Sequence, residues 1–198
     1  DNPQARLLQQ VVAVLQRGGV VVYPTDSGYA LGCLLGYKEA LERIRQIRQL
    51  PAKHEFTLLC RDLKDIGTYA IIDNPTYRLL RANTPGSYTF VLPASKAVPK
   101  LLLSHKRKTI GLRIPLDNIA LALLEQLQAP MLNVSLILPG EDQPPADIGD
   151  MLDELDRQVD LIIDGGFCGL GSTTIVDFTG DQPVILREGR GPVEAFVW

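Results

Sequence analysis

The sequence has few of the residues that build disulfide frameworks and metal centres. Its 198 residues include only three cysteines and two histidines. Cys33, Cys60 and Cys168 lie far apart, and no Cys-x-x-Cys motif or Cys/His cluster with zinc-ligand spacing is present. The simplest interpretation is three free thiols in a reducing compartment, which predicts a cytoplasmic protein without a metal site of its own.

Long apolar runs and an excess of positive charge are also missing. No stretch approaches the roughly 20 residues of a membrane span, so we expect no membrane association. The net charge is −3, so any binding of nucleic acid requires a local basic face. The absence of a Gly-x-x-x-x-Gly-Lys-Ser/Thr motif excludes the P-loop class of nucleotide-binding enzymes.

The patterns that are present are those of one α/β domain. Hydrophobic residues make up 45% of the chain and charged residues 22%, as in globular proteins that bury a sizeable core. Strand-like apolar runs alternate with amphipathic segments, and the last quarter of the chain is rich in strand patterns. We therefore expect a single domain over residues 1–198 with a mixed sheet flanked by helices.

A group of polar side chains follows the most apolar strand pattern, Val20-Val21-Val22. The group supplies three hydroxyls and a carboxylate: Thr25, Asp26, Ser27 and Tyr29. Ligands of open α/β sheets bind outside the ends of strands, so the pattern predicts a ligand site. The alternative is a turn in which Asp26 and Ser27 satisfy their own backbone.

Two arginines end strand patterns in the second half of the chain. Arg113 lies among apolar residues before Pro115, and Arg187 precedes Glu188. An arginine in such a place either pairs with a carboxylate or faces an anionic ligand. Glu188 is an available partner for Arg187.

A glycine-rich loop covers residues 165–171 and leads into Ser172 and Thr173. A strand pattern follows it rather than a helix, which argues against a dinucleotide-binding fingerprint. Two interpretations are open: a mobile connection between strands, or a set of backbone N–H groups that cradles phosphate.

Basic residues concentrate in two places. One group contains Arg43, Arg45, Arg48 and Lys53, and the other contains Lys106, Arg107 and Lys108. Such runs form either ordinary solvated faces or, where they converge, a track for phosphate backbone. His54 lies next to the first group, as a surface residue or as a catalytic base.

Five motifs, in order along the chain, resemble those of the threonylcarbamoyl-AMP synthases, the YrdC-like family. They occupy residues 24–32, 85–92, 109–115, 172–177 and 186–189. Within that family, residues 48–51 and 133–138 resemble the YciO branch. The resemblance implies a YrdC-like α/β fold, with a twisted, largely antiparallel mixed sheet and a large concave face.

The resemblance also implies a chemistry. Such synthases join bicarbonate, threonine and ATP, release pyrophosphate, and yield the group that modifies an adenosine of tRNA. The implied ligands are therefore ATP or AMP, with Mg²⁺, and the implied partner is tRNA or another structured RNA. The matching positions give a catalytic set, a nucleotide set and an RNA set: Thr25, Asp26, Ser27 and Tyr29; Arg48, Arg113, Ser135, Ser172, Thr173 and Arg187; and Arg43, Arg45, Lys53, Lys106, Arg107 and Lys108.

Three positions depart from the synthase pattern. Arg48 and Leu50 stand where synthases carry lysine and arginine, and Ile137 stands where they carry asparagine. Losing two groups that handle phosphate removes about 2–4 kcal/mol each from transition-state binding. We therefore expect weak or altered synthase activity, such as removal of the group from tRNA. The alternatives are a non-catalytic double-stranded RNA- or tRNA-binding protein of ribosome or tRNA maturation, and a nucleotide sensor.

Overall fold

The apolar segments form nine strands and six α-helices in a computed structural model that describes residues 4–52, 54–103, 106–169 and 171–197. The strands are Val21–Thr25 (β1), Gly28–Gly32 (β2), Thr57–Leu59 (β3), Tyr88–Pro93 (β4), Thr109–Arg113 (β5), Met131–Ser135 (β6), Leu161–Ile162 (β7), Thr174–Asp177 (β8) and Val184–Arg187 (β9). The helices are Ala5–Gln16 (α1), Lys38–Arg48 (α2), Leu63–Tyr69 (α3), Asn74–Asn83 (α4), Asn118–Leu127 (α5) and Leu152–Asp156 (α6). None of these helices is long and apolar enough to cross a membrane.

The described strands form one mixed sheet in the order β7-β1-β2-β6-β3-β5-β4-β8-β9. Three neighbouring pairs are parallel: β1–β7, β3–β5 and β4–β8. The other five pairs are antiparallel. The expectation of a largely antiparallel mixed sheet is confirmed.

Aspartates begin three of the helices. The side chains of Asp62, Asp73 and Asp117 accept hydrogen bonds from backbone N–H groups in the first turns of α3, α4 and α5. Each satisfies a donor that the helix itself leaves unpaired, which stabilises the start by about 1 kcal/mol.

The two faces of the sheet are covered differently. One face carries the larger core, against which α2, α3, α4 and α6 pack. The other face carries a second core only at the β1–β2 end, where buried residues of α1 and α5 cover Val21, Tyr23 and Ala30. Beyond that end, the second face presents polar side chains of the central strands.

The polar group after β1 forms a hairpin turn at the end of that strand. Thr25 pairs with Gly28, so Asp26 and Ser27 form the two-residue connection between β1 and β2. Tyr29-Ala30-Leu31 is apolar enough to return into the sheet as a fully buried strand. Gly28 adopts a φ of 110°, which a side chain would disfavour.

Two apolar segments form only short elements. Apolar residues continue to Leu138, but β6 ends at Ser135, and the segment over 98–103 contains a single 3₁₀ turn at Lys100–Leu102. The strand patterns in the last quarter of the chain include the antiparallel pair β8 and β9.

Candidate functional site

A cavity of about 540 Å³ occupies the polar part of the second face. Its floor comes from six strands, β3, β4, β5, β6, β8 and β9. Its walls come from the end of α2 and from the loops before β3, after β6 and before β8. The lining side chains that the argument uses are Ser27, Arg48, His54, Thr57, Thr89, Arg113, Asn133, Ser135, Ile137, Ser172, Thr173 and Arg187.

Arg113 connects the hairpin turn to the cavity. Its NH2 lies 2.6 Å from Asp26 Oδ1, and its NH1 donates to Ser27 Oγ at 2.7 Å. The backbone N–H of Leu116 donates to the same oxygen of Asp26 at 3.1 Å. Arg113 is only 2% exposed, so its guanidinium is held in one orientation by the turn. The two interpretations of Arg113 are therefore compatible, because it pairs with a carboxylate and also lines the cavity.

The ion pair leaves bonding capacity unused. Arg113 Nε and Asp26 Oδ2 are buried and have no hydrogen-bond partner among the described residues, and the same holds for Arg48 Nε. Buried polar atoms without partners are costly, and these three have almost no accessible surface, so Arg113 offers a ligand in the cavity its charge rather than a hydrogen bond from Nε.

Arg187 reaches the cavity through Thr173 rather than through Glu188. Its Nε donates to the Thr173 carbonyl at 3.0 Å, and its NH2 donates to Thr173 Oγ1 at 3.1 Å. Thr173 Oγ1 also lies 2.7 Å from Thr89 Oγ1. Partial burial lowers the pKa of Arg187, and the nearby charge of Arg113 lowers it further.

Arg48 lies in the cavity wall that the end of α2 forms. Its NH1 donates to the carbonyl of Ser135, whose side chain is exposed to the cavity. Burial lowers the pKa of Arg48. The cavity therefore brings together all six predicted nucleotide-binding side chains: Arg48, Arg113, Ser135, Ser172, Thr173 and Arg187.

The side chains of the predicted catalytic group do not all lie on the same face of the sheet. Ser27 lines the cavity, and Asp26 holds Arg113. The Thr25 hydroxyl is used inside the turn, where it donates to the Gly28 carbonyl at 2.7 Å and accepts from the N–H of Ser27. The hydroxyl of Thr25 is therefore occupied by the hairpin.

Tyr29 corrects the expectation that the four side chains of the predicted catalytic group lie together. It is fully buried in the core on the other face, because successive residues of a strand point to opposite sides. Its hydroxyl donates to the Gly166 carbonyl at 2.6 Å and accepts from the Gly165 N–H at 3.1 Å. Burial raises the pKa of Tyr29 to about 12. Tyr29 therefore anchors the glycine-rich loop.

The glycine-rich loop packs against the hairpin turn. A Cβ at Gly169 would clash with the Asp26 carbonyl, so only glycine permits this approach. Arg190, which sequence reasoning missed, donates to the same carbonyl at 2.8 Å. Gly171 and Ser172, at the end of the loop, line the cavity.

His54 lies in the cavity wall. Its ring meets Phe56 edge to face at 5.0 Å between centroids, and the Arg45 guanidinium covers the same phenyl ring at 4.8 Å. Burial lowers the pKa of His54 to about 4, and the charges of Arg48 and Arg45 contribute. The imidazole is therefore neutral near pH 7.

The predicted RNA-binding residues do not converge on the cavity. Arg43 is paired with Asp160 at 2.6 Å and donates to the Gln158 carbonyl. Arg107 lies 4.0 Å from Asp177, at the end of β5 opposite to Arg113. Lys106 and Lys108, on either side of it, are exposed. Lys53 falls outside the described residues.

Sequence reasoning also missed Thr57, Thr89 and Asn133. Thr57 and Thr89 are single polar residues on largely apolar strands, and Asn133 alternates with apolar residues on β6, a signal that was available but that also describes any solvated face. No group of three or more His, Cys, Asp or Glu side chains in the described ranges could hold a metal ion.

Comparison with known proteins agrees with the fold described above. The family described as telomere recombination, which groups Sua5, YciO and YrdC, matches residues 13–189. The chain belongs to this family. Escherichia coli K12 YciO, an uncharacterised protein, is 55% identical over 197 residues, covering all of this chain and 96% of that protein. The crystal structure of E. coli YciO superposes with a TM-score of 0.94, again covering 100% and 96%, which confirms the expected fold.

More distant members include an enzyme. The threonylcarbamoyl-AMP synthase of Pyrococcus abyssi is 29% identical over 182 residues, 91% of this chain. The chain spans 53% of that enzyme's length. The crystal structure of P. abyssi Sua5 in complex with L-threonine is 26% identical, with a TM-score of 0.89 over 98% of this chain and 57% of that one.

The structure separates the two apolar departures from the synthase motifs. Ile137 lines the cavity. Leu50 instead faces a neighbouring depression beside Arg45 and Lys100. Of the two apolar replacements, therefore, only Ile137 places an apolar side chain in the cavity wall.

Proposed function

We propose that this protein binds nucleotide and tRNA and acts on the threonylcarbamoyl group of adenosine, with weak or altered threonylcarbamoyl-AMP synthase activity. The observation that supports this most is the buried Arg113 guanidinium, fixed by Asp26 and Ser27 in a cavity that Arg48 and Arg187 also line. Three guanidinium groups fit the phosphates of ATP or AMP, or the carboxylate of a threonyl group.

The cavity suits an anion better than a bare metal ion. Its two carboxylates, Glu55 and Asp142, are outnumbered by its three arginines. Mg²⁺ is expected to arrive with a triphosphate and to be held mainly by the phosphate oxygens. Bound there, it would neutralise part of the phosphate charge.

Weak synthesis follows from Ile137. An isoleucine in the cavity wall offers no hydrogen bond to a developing charge, whereas one such donor is worth about 2.7–4 kcal/mol in the transition state. The cavity thus retains what binds an anion and lacks part of what accelerates pyrophosphate release.

Removal of the threonylcarbamoyl group from tRNA is the reaction that depends least on the side chains that would bind the phosphates of ATP. Water attacks the carbamoyl carbon, and the bond from that carbon to adenosine N6 breaks. The N6 nitrogen takes a proton and leaves as the amine of unmodified adenosine. The other product is an N-carboxythreonine, which loses CO₂ to give threonine.

Mass spectrometry of nucleosides from threonylcarbamoylated tRNA tests removal directly. After incubation with the protein, we expect the modified nucleoside to fall and adenosine to rise in equal amount. Arg187→Met is the matched inactive variant, because it removes one guanidinium from the cavity without leaving a buried carboxylate unpaired. An unchanged nucleoside content with folded protein would rule removal out.

Pyrophosphate release from ATP, threonine and bicarbonate tests synthesis. We expect a slow rate that Ile137→Asn raises about 10- to 100-fold, since it returns an amide to the cavity. Leu50→Arg is the comparison, and its effect should be smaller because Leu50 lies outside the cavity. Equal rates for Ile137→Asn and the parent protein would contradict this explanation of weak synthesis.

A non-catalytic role in binding structured RNA is the second candidate. The exposed Lys106 and Lys108 favour it. The pairing of Arg43 with Asp160 and the distance of Lys106–Lys108 from the cavity make the basic face smaller than the sequence predicts.

A further inference from the structure

A buried tyrosine holds one amide of the cavity in place. Tyr23 lies on β1 within the second core and is fully buried. Its hydroxyl donates to Asn133 Oδ1 on β6 at 2.7 Å. Asn133 is half-buried and lines the cavity. The hydrogen bond therefore joins the packed part of the second face to its open part.

The tyrosine fixes which end of the amide is available. Burial raises the pKa of Tyr23 well above its ordinary value, so the phenol keeps its proton and needs an acceptor. Within the described part of the chain the hydroxyl reaches one acceptor, the amide oxygen, and the amide nitrogen cannot take this role. A flipped amide would leave the buried hydroxyl without an acceptor, at a cost of about 1–3 kcal/mol.

The amide nitrogen is left with both protons unused. Asn133 Nδ2 has no hydrogen-bond partner in the described part of the chain. It is also absent from the buried polar atoms that lack partners, so it is accessible. Because Asn133 lines the cavity, the open space that Nδ2 reaches is the cavity itself.

Neighbouring positions keep this space open. Thr57 lies opposite Asn133 in the β3–β6 pair, and Gly111 lies opposite Thr57 in the β3–β5 pair. A Cβ at Gly111 would come within 2.7 Å of Thr57 Oγ1. These three neighbouring positions on β6, β3 and β5 therefore present an amide, a hydroxyl and, at Gly111, no side chain.

We propose that Asn133 is a ligand-binding residue whose N–H donors bind a carbonyl or carboxylate oxygen of the ligand, and that Tyr23 is its positioning residue. The identity of that oxygen rests on the proposed function, which supplies the carbamoyl carbonyl and the threonine carboxylate. Asn133 lies two residues before Ser135, at the end of β6, and the apolar Ile137 lies two residues after it. The ligand's oxygen is therefore placed on the side of Ser135 away from Ile137.

A double-mutant cycle measured by calorimetry tests both roles. The probes are AMP and the free nucleoside N6-threonylcarbamoyladenosine. We expect Asn133→Ala to weaken nucleoside binding about tenfold, the equivalent of one hydrogen bond to a charged or strongly polar group. Tyr23→Phe should weaken it about threefold in the parent protein and should have no effect in the Asn133→Ala background.

Tyr88→Phe is the matched control. The Tyr88 hydroxyl is also largely buried and donates to a carbonyl, that of Pro192, at the same 2.7 Å. It lies in the other core, so its loss should lower stability without changing affinity. If Asn133→Ala fails to fold, Asn133→Asp replaces it, because aspartate keeps the acceptor for Tyr23 and loses the donors.

The outcomes are separable. Equal effects of Tyr23→Phe in both backgrounds, or unchanged affinity of Asn133→Ala, would overturn the inference. Binding of AMP but not of the nucleoside would overturn the proposed function. The inference about Asn133 would then fail with it, because AMP has no carbonyl or carboxylate oxygen, whereas a failed cycle with the nucleoside bound overturns that inference alone. If neither probe binds the parent protein, both proposals fail.

Discussion

The two ends of strand β5 both carry positive charge, in opposite settings. At its carboxyl end Arg113 is 2% exposed, with two nitrogens fixed by Asp26 and Ser27. Before its amino end Lys106, Arg107 and Lys108 are exposed, and Arg107 is 4.0 Å from Asp177. One strand therefore separates a rigid guanidinium in a cavity from a solvated basic run.

The difference shows that the position of a charge in the fold decides what it can recognise. A guanidinium with one orientation and unused donors selects a discrete anion with defined geometry. Exposed lysines on long stems attract any polyanion, and they do so less as salt rises. The sequence-level count of basic residues does not distinguish these cases.

The sharpest test of the comparison is Arg113→Met. It leaves the Asp26 carboxylate largely buried without its cation, so we expect the free energy of unfolding to fall by about 3–5 kcal/mol. Urea denaturation measures the change, with Lys108→Met as the control, for which we expect less than about 0.5 kcal/mol. Similar losses for the two variants would show that Arg113 is not fixed as described.

The opposite end of β5 is tested by RNA binding. Lys106→Ala combined with Lys108→Ala leaves the contact between Arg107 and Asp177 intact. If this end contacts RNA, the double variant should bind tRNA about tenfold more weakly near 0.1 M salt and lower the slope of log affinity against log salt by up to about 2. Filter binding over a salt series measures both quantities.

The same double variant should bind AMP as the parent protein does. A loss of AMP affinity would mean that the two ends of β5 act on one ligand, contrary to the comparison.

The smallest expected effect concerns His54. Its folded-state pKa of about 4 lies below the ordinary value of 6.5, so the unfolded chain takes up a proton first as pH falls. This contribution to stability is fully present above about pH 6.5 and is lost as pH falls towards 4. Since the ring is only partly buried, we expect a difference of about 1 kcal/mol between parent and His54→Gln in the fall of stability from pH 7.5 to 4.5.

Urea titrations at both pH values measure this effect, and Gln replaces the ring with a neutral group. An identical fall in the two proteins would show that the imidazole is not held neutral by its surroundings.

The sequence predicted the order of elements better than the site. Strand and helix patterns are local, so the aspartate caps and the terminal hairpin could be located from neighbouring residues. The contact between Arg113 and Asp26 joins residues far apart in the chain, so no local pattern predicts it, and the family resemblance placed the two residues in one site without predicting that they pair. Tyr29 was misplaced because no local pattern shows where the turn ends and the return strand begins, and that boundary decides which side of the sheet a side chain faces.

Asn133 was missed for a related reason. A polar residue alternating with apolar ones predicts one solvated face of a strand and says nothing of what faces it. Its role depends on Tyr23, which lies on another strand. Hydrophobic periodicity does not predict the hydrogen bond that the Tyr23 hydroxyl makes.

The unequal covering of the sheet's second face has an evolutionary consequence. Helices α1 and α5 confine their packing to one end of the sheet, so the side chains that line the cavity at the other end, Arg113 apart, contribute little to the packed core. Substitutions can accumulate there one at a time while the chain continues to fold. A lineage built on this scaffold can exchange one reaction for another without passing through an unfolded ancestor.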